Sequence, residues 1–303
     1  MITISVSTKL LKKIDLKSYN ELQPEFKQLK YEACEYSFTT MFMWQHTYNT
    51  RYYKTKEFIV IIGNYENDEF SVLPLAKKEN MNKAFNFIQQ YFIDNDKKLN
   101  IRAANEEFVE FLNLNYPNKY NIIEERDYFD YVYKGEKLKS LKGRKLHRKR
   151  NHIKKFMKNY EDRYEYRKLT KEDLNACLNL LDMWKDSKED DESVNDEIIA
   201  IKKVFDNIDD LDIKIAGVFI DQKLEAFTFG EYLNDDMALI HVEKANPSIN
   251  GLYPFINQMF IKEEFGEVEY VNREEDLGIE GLRKAKLSYY PDKLVKKYTI
   301  KEI

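Results

Sequence analysis

The chain carries two cysteines, Cys34 and Cys177, far apart and with no second Cys beside either. Paired-Cys zinc motifs are thereby excluded, and a lone disulfide is out of place in a reducing compartment, so both read as buried or half-buried thiols. Glycine is scarce as well. Nine in 303 residues is less than half the usual ~7%, which excludes collagen-like, linker-rich and glycine-loop architectures. Long apolar runs are missing. Mean hydropathy is −0.66, and no window approaches the ~18 uncharged apolar residues of a membrane helix, so no integral membrane segment is expected. Residues 1–15 hold no apolar run ending in a small-residue cleavage site; no secretory signal is read there, and a cytoplasmic location is expected. The four histidines are scattered: His46 stands alone, and His147 and His152 are five apart, a poor spacing for shared ligation on a helix. No metal site is expected. G-x-S-x-G, H-E-x-x-H, the Walker loop and G-x-G-x-x-G are absent, which leaves no hydrolytic triad or nucleotide loop to recognise.

What is present is a charged, aromatic chain long enough for about two domains. Charged residues make up 34% and hydrophobic ones 43%, with 22 Tyr, and the net charge of −4 does not announce a nucleic-acid binder. The first half alternates helix and strand. A helix is expected over 16–31, and a hairpin from strands 57–63 and 69–75 across the Asn/Asp-rich gap 64–68. Met81, Ala84, Phe85, Ile88, Tyr91 and Phe92 have helical spacing within 81–92. Strands near 99–103, 120–124 and 128–133 surround a short helix over 106–114. The second half opens with a strand over 164–169 and a helix over 171–184, entered through Thr170 with Asp173 completing a capping box. A helix over 197–207 is followed by three consecutive strands, 212–220, 223–232 and 237–244, turning at Asp221-Gln222 and Asn234-Asp235. Helix 252–265, strand 267–272, helix 279–287 and a final strand 294–300 complete the order.

That succession is the element order of a GCN5-related N-acetyltransferase (GNAT), and the first half is a worn version of it. The expected fold class is α/β (α+β): two tandem GNAT-like domains, 1–135 and 136–303, each a mixed, mainly antiparallel sheet flanked by helices. The second is entered through a basic helix over 142–160.

Three segments carry candidate chemistry. The strand ending at Lys244 brings His241 and Glu243 to one face and leads into the loop Ala245–Gly251, where an acetyl-CoA enzyme carries Q/R-x-x-G-x-G/A to cradle a pyrophosphate. Here the loop has one Gly, Gly251, and Pro247 removes a donor, so the cradle is degraded; Asn246 and Gly251 remain as substrate-binding candidates with Lys244. In the second segment, Arg283 and Lys286 are three apart on a helix and share a face, with Arg273 just before it and acids near its start. They either complement the helix ends or hold an anionic donor or acceptor. The third is Lys142–Lys158, nine Lys or Arg without an acid, including Arg144, Lys145, Arg148, Lys149, Arg150, Lys154 and Lys155. Leu146, Ile153, Phe156, Met157 and Tyr160 fall on roughly one face of it. It is a solvated amphipathic helix, a docking surface for tRNA or an anionic lipid surface, or a partner for the eight acids between Asp182 and Glu197 folding back.

Gly281-Leu282-Arg283, Lys286, Tyr289, Pro291 and Lys297-Tyr298 resemble the GLR-x-F-K-x-K-F-x-P signature, with its later KY, of the lysyl-phosphatidylglycerol synthase C-terminal family. The basic run and the segment His241–Lys244 are similar to soluble proteins of the related DUF2156 family. Ala285 stands where the signature has an aromatic and Ser288 where it has a second Lys, while His241 and Lys244 stand where a D-x-x-R pair would fall. The resemblance implies two tandem GNAT-like domains and transfer of an aminoacyl group from aminoacyl-tRNA as co-substrate, without a cofactor, to an acceptor that is an anionic lipid or a small molecule. Lys286 matches the signature lysine. Such a transfer needs a positive group for the developing oxyanion, which Lys286 and Arg283 supply; a base, Glu243 or His241; and a proton donor for the leaving oxygen, Tyr289. Two alternatives stay open: an acyl-CoA-dependent N-acyltransferase using acetyl-CoA, and a non-catalytic binding protein that kept the fold.

Overall fold

The structure is a computed structural model that describes residues 8–185 and 192–303. The chain forms two compact units that are not contiguous in sequence. The first takes the chain up to Asp130 together with Glu275–Gly278 and Val295–Ile303; the second takes Tyr131–Glu274 and Ile279–Leu294.

In the first unit the strands lie in the order Lys12–Lys13, Arg51–Lys54, Phe58–Tyr65, Asp68–Val72, Asn100–Ala104, Tyr298–Glu302, Tyr120–Glu124, with Leu75–Ala76 added on Phe58–Tyr65. The hairpin is tighter than the 64–68 gap implies. Tyr65 pairs with Asp68, leaving Glu66 and Asn67, both at positive φ, as the two-residue turn whose twist suits antiparallel strands. Helix Met81–Asp94 buries Ala84, Phe85, Ile88, Tyr91 and Phe92, as their spacing requires. It bridges Asp68–Val72 and Asn100–Ala104, which pair in parallel.

In the second unit the order is Lys293–Val295, Asp130–Lys134, Tyr270–Asn272, Met237–Ala245, Lys223–Asn234, Ile213–Ile220, Tyr164–Lys168. Asp221 and Gln222 form the first hairpin turn at positive φ. The second lies one residue later than expected, because Asn234 still pairs with Met237. Thr170 and Asp173 make the reciprocal capping box, and the helix continues over Leu174–Lys185. The single final strand expected over 294–300 is two strands. Lys293–Val295 lies in the second sheet, whereas Tyr298–Glu302 pairs with Asn100–Ala104 and Tyr120–Glu124 in the first. Periodicity reports which face a residue takes, and it is blind to which sheet receives the strand.

The basic segment is a short 3-10 turn, Arg144–Leu146, followed by helix His147–Asn159. Leu146, Ile153 and Phe156 are buried in the second unit's core, where Phe156 meets Phe255 at 4.7 Å between ring centroids. Met157, expected on that face, is exposed. The apolar stripe steps 146–149–153–156, and its second position is Lys149.

Two features open the sheet for a site. Met237–Ala245 pairs in parallel with Tyr270–Asn272 only through Met237, Ala238 and Leu239, so the strands part beyond Leu239. On the other side, Phe229 pairs with Val242 but Gly230 with Ile240. His241 is therefore the extra residue of a β-bulge, a device that re-aims side chains beside functional sites.

Candidate functional site

His241 is enclosed, its side chain 1% exposed. Its Nε2 lies 3.1 Å from Glu231 Oε1 and its Nδ1 3.0 Å from Glu274 Oε1. Burial opposes the charged ring, but the hydrogen bonds to Glu231 and Glu274 outweigh it and raise the group to about 9. The ring is an imidazolium at neutral pH, with both nitrogens engaged. Both nitrogens of His241, one of the two expected bases, thus face carboxylates.

Glu243, two residues on, holds a second network. Its Oε1 accepts from Arg273 Nη2 at 2.9 Å and its Oε2 from Asn257 Nδ2 at 2.8 Å. With one hydrogen bond on each oxygen, Glu243, the other expected base, ties Arg273 to Asn257. The Arg273 guanidinium lies 4.8 Å from the Tyr289 ring centroid, and its Nη1 is buried without a hydrogen-bond acceptor. A buried donor left unpaired is costly unless something binds it. Tyr289 is buried, and burial pushes its hydroxyl up by more than Arg273 takes back, so it stays protonated. Lys286 points inward, its Nζ donating to the Arg273 carbonyl at 2.5 Å, while Tyr133 donates to the Lys286 carbonyl at 2.8 Å. Lys286 thus pins the backbone from which Arg273 extends. Arg283 lies one turn earlier on helix Glu280–Leu287, half-buried.

Lys149 completes the group. Its Nζ stands 4.0 Å from the Tyr289 centroid. Burial first, then the charge of Arg273, lower it to about 8, with Arg148 adding to the effect and the Glu243 carboxylate opposing it.

Lys244, Asn246 and Gly251, three of the expected substrate-binding residues, each have partners or close neighbours within the protein. Lys244 pairs with Glu197 at 2.7 Å. Asn246 closes its own loop, donating to Glu225 Oε2 at 2.7 Å and accepting from the Ser248 N–H at 3.0 Å. Gly251 starts helix Leu252–Glu264 at φ 90°, so close to the basic helix that a methyl group there would overlap the His152 carbonyl. Three of the loop's N–H groups bond within the protein, Asn246 to the Glu225 carbonyl, Ser248 to the Asn246 side chain and Ile249 to the Asn246 carbonyl, as does Leu252 at the helix start, to Ile249.

The outer face of the basic helix is uncompensated. Among the described residues no carboxylate pairs with Arg144, Lys145, Arg148, Lys149, Arg150, Lys154 or Lys155. Lys154 and Lys155 are exposed, Lys145 lies 5.1 Å from the Tyr290 ring centroid, and Arg150 donates to the Gly143 carbonyl at 2.8 Å. Of the acidic run that one alternative folds back onto this helix, positions 186–191 lie outside the described residues, and Glu197 is a partner of Lys244.

The sequence reading missed a charge cluster in the first unit. Lys297 is 2% exposed, with its Nζ 2.7 Å from Asp130, 2.8 Å from Glu35, 3.8 Å from Glu275 and 3.4 Å from the Cys34 sulfur. Burial opposes its charge, but Asp130 and its neighbours raise it well above the usual lysine value. Cys34, Asp130 and Glu275 have the spacing of a metal-ligand set, yet the Lys297 ammonium already bonds the Asp130 oxygen, and burial keeps the thiol protonated. The one signal in sequence was the Lys297-Tyr298 pair of the signature. Both cysteines are buried and free.

A family model described as phosphatidylglycerol lysyltransferase, C-terminal, matches residues 26–301. The crystal structure of a conserved protein of unknown function from Bacteroides thetaiotaomicron is 30% identical at a TM-score of 0.91, covering 97% of this chain and 99% of that one. The structure of L-PGS from Bacillus licheniformis has a TM-score of 0.67 at 11% identity, over 96% of this chain and 93% of that one, a likeness of fold. An uncharacterized protein of Mycoplasmoides gallisepticum is 24% identical over 174 residues, 57% of this chain and 56% of that relative, so the match spans about half of its length. The architecture is a GNAT-like mixed α/β fold. No helix among the described residues is long and apolar enough to cross a membrane.

Proposed function

This chain belongs to the phosphatidylglycerol lysyltransferase C-terminal family, and from that premise we propose that it is an aminoacyltransferase. It takes an aminoacyl group from the ribose ester of an aminoacyl-tRNA and passes it to a nucleophilic acceptor. The observation that carries this reading is the basic helix, whose cations have no carboxylate partners among the described residues and whose inward Lys149 reaches Tyr289 beside Arg273. Like charges along one helix repel; the phosphates of an RNA relieve that repulsion and fix the register of the donor without reading its sequence.

In this reading the ester carbonyl lies in the opening between the parted strands. Arg273 Nη1, unpaired in the free protein, meets the oxyanion that forms at the carbonyl, where a prearranged donor is worth most. Tyr289 donates a hydrogen bond to the departing ribose oxygen. Glu243 and Lys286 are positioning residues that fix the side chain and the backbone of Arg273, and Arg283 adds positive charge on the same helix as Lys286. We read the two units as tandem copies of one GNAT-like plan dividing near residue 135. In support, each sheet holds a parallel strand pair bridged by a helix.

The loop favours this donor over acetyl-CoA. Its N–H groups are largely bonded within the protein, Pro247 and Pro254 have none to give, and the helix start abuts the His152 carbonyl. Bulk tRNA charged with a radiolabelled amino-acid mixture tests the proposal. The protein is expected to discharge the ester faster than spontaneous hydrolysis, and binding of tRNA without discharge would leave a binding protein. Excess acetyl-CoA is expected to leave the unfolding midpoint unchanged. Since a ligand at ~100 times its Kd adds about 2.7 kcal/mol, a clear rise would turn the reading to acyl-CoA-dependent N-acylation.

A further inference from the structure

Lys149 is out of place by the rules that shape the rest of its helix. It occupies a core-facing position between Leu146 and Ile153, both buried, where a Leu or Met would pack without desolvating an amine. The other cations of the helix lie in water or, like Arg150, bond to backbone carbonyls. Among the described residues no carboxylate comes within ion-pair distance of Lys149, Glu243 acting on it only at longer range, and its Nζ rests on the Tyr289 ring that also holds the Arg273 guanidinium. A structural ammonium in such a place is ordinarily paired, as Lys297 is with Asp130. Acyl transfer needs a proton acceptor beside the oxyanion donor, and the two groups first expected to serve are occupied: His241 by two carboxylates, and Glu243 by Arg273 and Asn257.

We propose that Lys149 is the general base of the transfer, an inference that rests on the aminoacyl-transfer reading above. The neutral amine takes the proton from the acceptor X–H as X bonds to the ester carbonyl carbon. The resulting oxyanion rests on Arg273. As it collapses, the ester C–O bond breaks, and the Lys149 ammonium returns its proton to the departing ribose oxygen. The products are acyl-X and a free ribose hydroxyl, with the amine restored. The depressed basicity of Lys149, about 8, leaves a usable fraction of free amine at neutral pH, where an ordinary lysine has almost none.

The probe is charged bulk tRNA with water as the acceptor, followed as loss of esterified label. Wild-type discharge is expected to rise with pH and level off near 8. Lys149→Arg keeps the charge and the ring contact but cannot give up its proton. It should slow discharge by about 10²–10⁴-fold, the range of general-base catalysis, while binding uncharged tRNA like the wild type. Lys149→Ala should be equally slow and regain rate on addition of propylamine, a rescue that a merely structural lysine would not show. Independently, reductively ¹³C-methylated protein should show the Lys149 resonance, assigned by its loss in Lys149→Arg, titrating near 8, well below an ordinary lysine. Full discharge by Lys149→Arg, or titration of Lys149 at the ordinary lysine value, would overturn the base and leave the transfer reading standing. A wild type no faster than spontaneous hydrolysis would overturn the transfer reading, and the base with it.

Discussion

A histidine held between two carboxylates is a fixed cation, and it leaves a signature in stability. In the unfolded chain His241 titrates near ~6.5, and in the folded protein near about 9. The folded state therefore holds a proton that the unfolded state has released throughout that window, so stability falls as pH rises through it. The stabilisation is complete below the unfolded value and gone above the folded one. A shift of this size corresponds to roughly 3 kcal/mol at most. His241→Gln should be less stable than the wild type at pH 6, with the gap narrowing by pH 9.5, measured as urea midpoints at both pH values. Parallel curves for the two proteins would refute the assignment. Sequence placed His241 and Glu243 together on one strand, but nothing local announced the bulge at His241 or the acids that surround it. Glu231 and Glu274 come from ten residues upstream and 33 residues downstream.

At the scale of elements, the helices and hairpins of the second half were largely legible, because apolar spacing, the Thr170–Asp173 box and two-residue turns are local signals. The inward place of Lys149 was legible too, as a step of three from Leu146 and four to Ile153, but nine cations in one run drew the eye to charge instead of phase. Gly251 belongs to this scale. Its positive φ and its contact with the His152 carbonyl join the start of one helix to the backbone of the basic helix. Gly251→Ala should therefore destabilise by roughly 1–3 kcal/mol and lower the guanidinium midpoint, whereas Gly281→Ala, with open space around it, should be neutral or slightly stabilising within its helix. The outer face of the basic helix predicts a different quantity. If RNA phosphates lie along it, log K falls linearly with log salt by roughly 0.7–0.9 per contact. Replacing exposed Lys154 and Lys155 with Gln should flatten that slope by about 1–2, at little change in stability, measured by filter binding of bulk tRNA across a salt series. An unchanged slope would place the RNA elsewhere.

At the scale of the whole molecule, the chain's late return to its first unit was the least legible feature, since the strand Tyr298–Glu302 pairs with segments almost 200 residues away in sequence. It carries Lys297 with it. That ammonium faces three carboxylates, Asp130, Glu35 and Glu275, in a buried site, and burial pushes Glu35 up even against the pull of Lys297. Removing that ammonium leaves three acids close together, Asp130 fully buried and held by the Cys34 N–H, Glu35 and Glu275 only partly exposed. Breaking one side of a buried ion pair costs about 3–5 kcal/mol, so Lys297→Met should lose that much, enough to threaten folding of the first unit. The loss has a distinctive pH dependence. With the ammonium gone, burial and mutual repulsion raise the carboxylates above their unfolded values, so they bind protons more readily in the folded state, and acidification from pH 8 to 5 should recover part of the lost stability. Asp130→Asn in the Lys297→Met background should recover part of it at neutral pH, because it removes one of the charges that Lys297 no longer offsets. A double-mutant cycle by chemical denaturation measures the coupling. Additive losses at every pH would mean that Lys297 contributes through packing alone and that the cluster is no electrostatic unit.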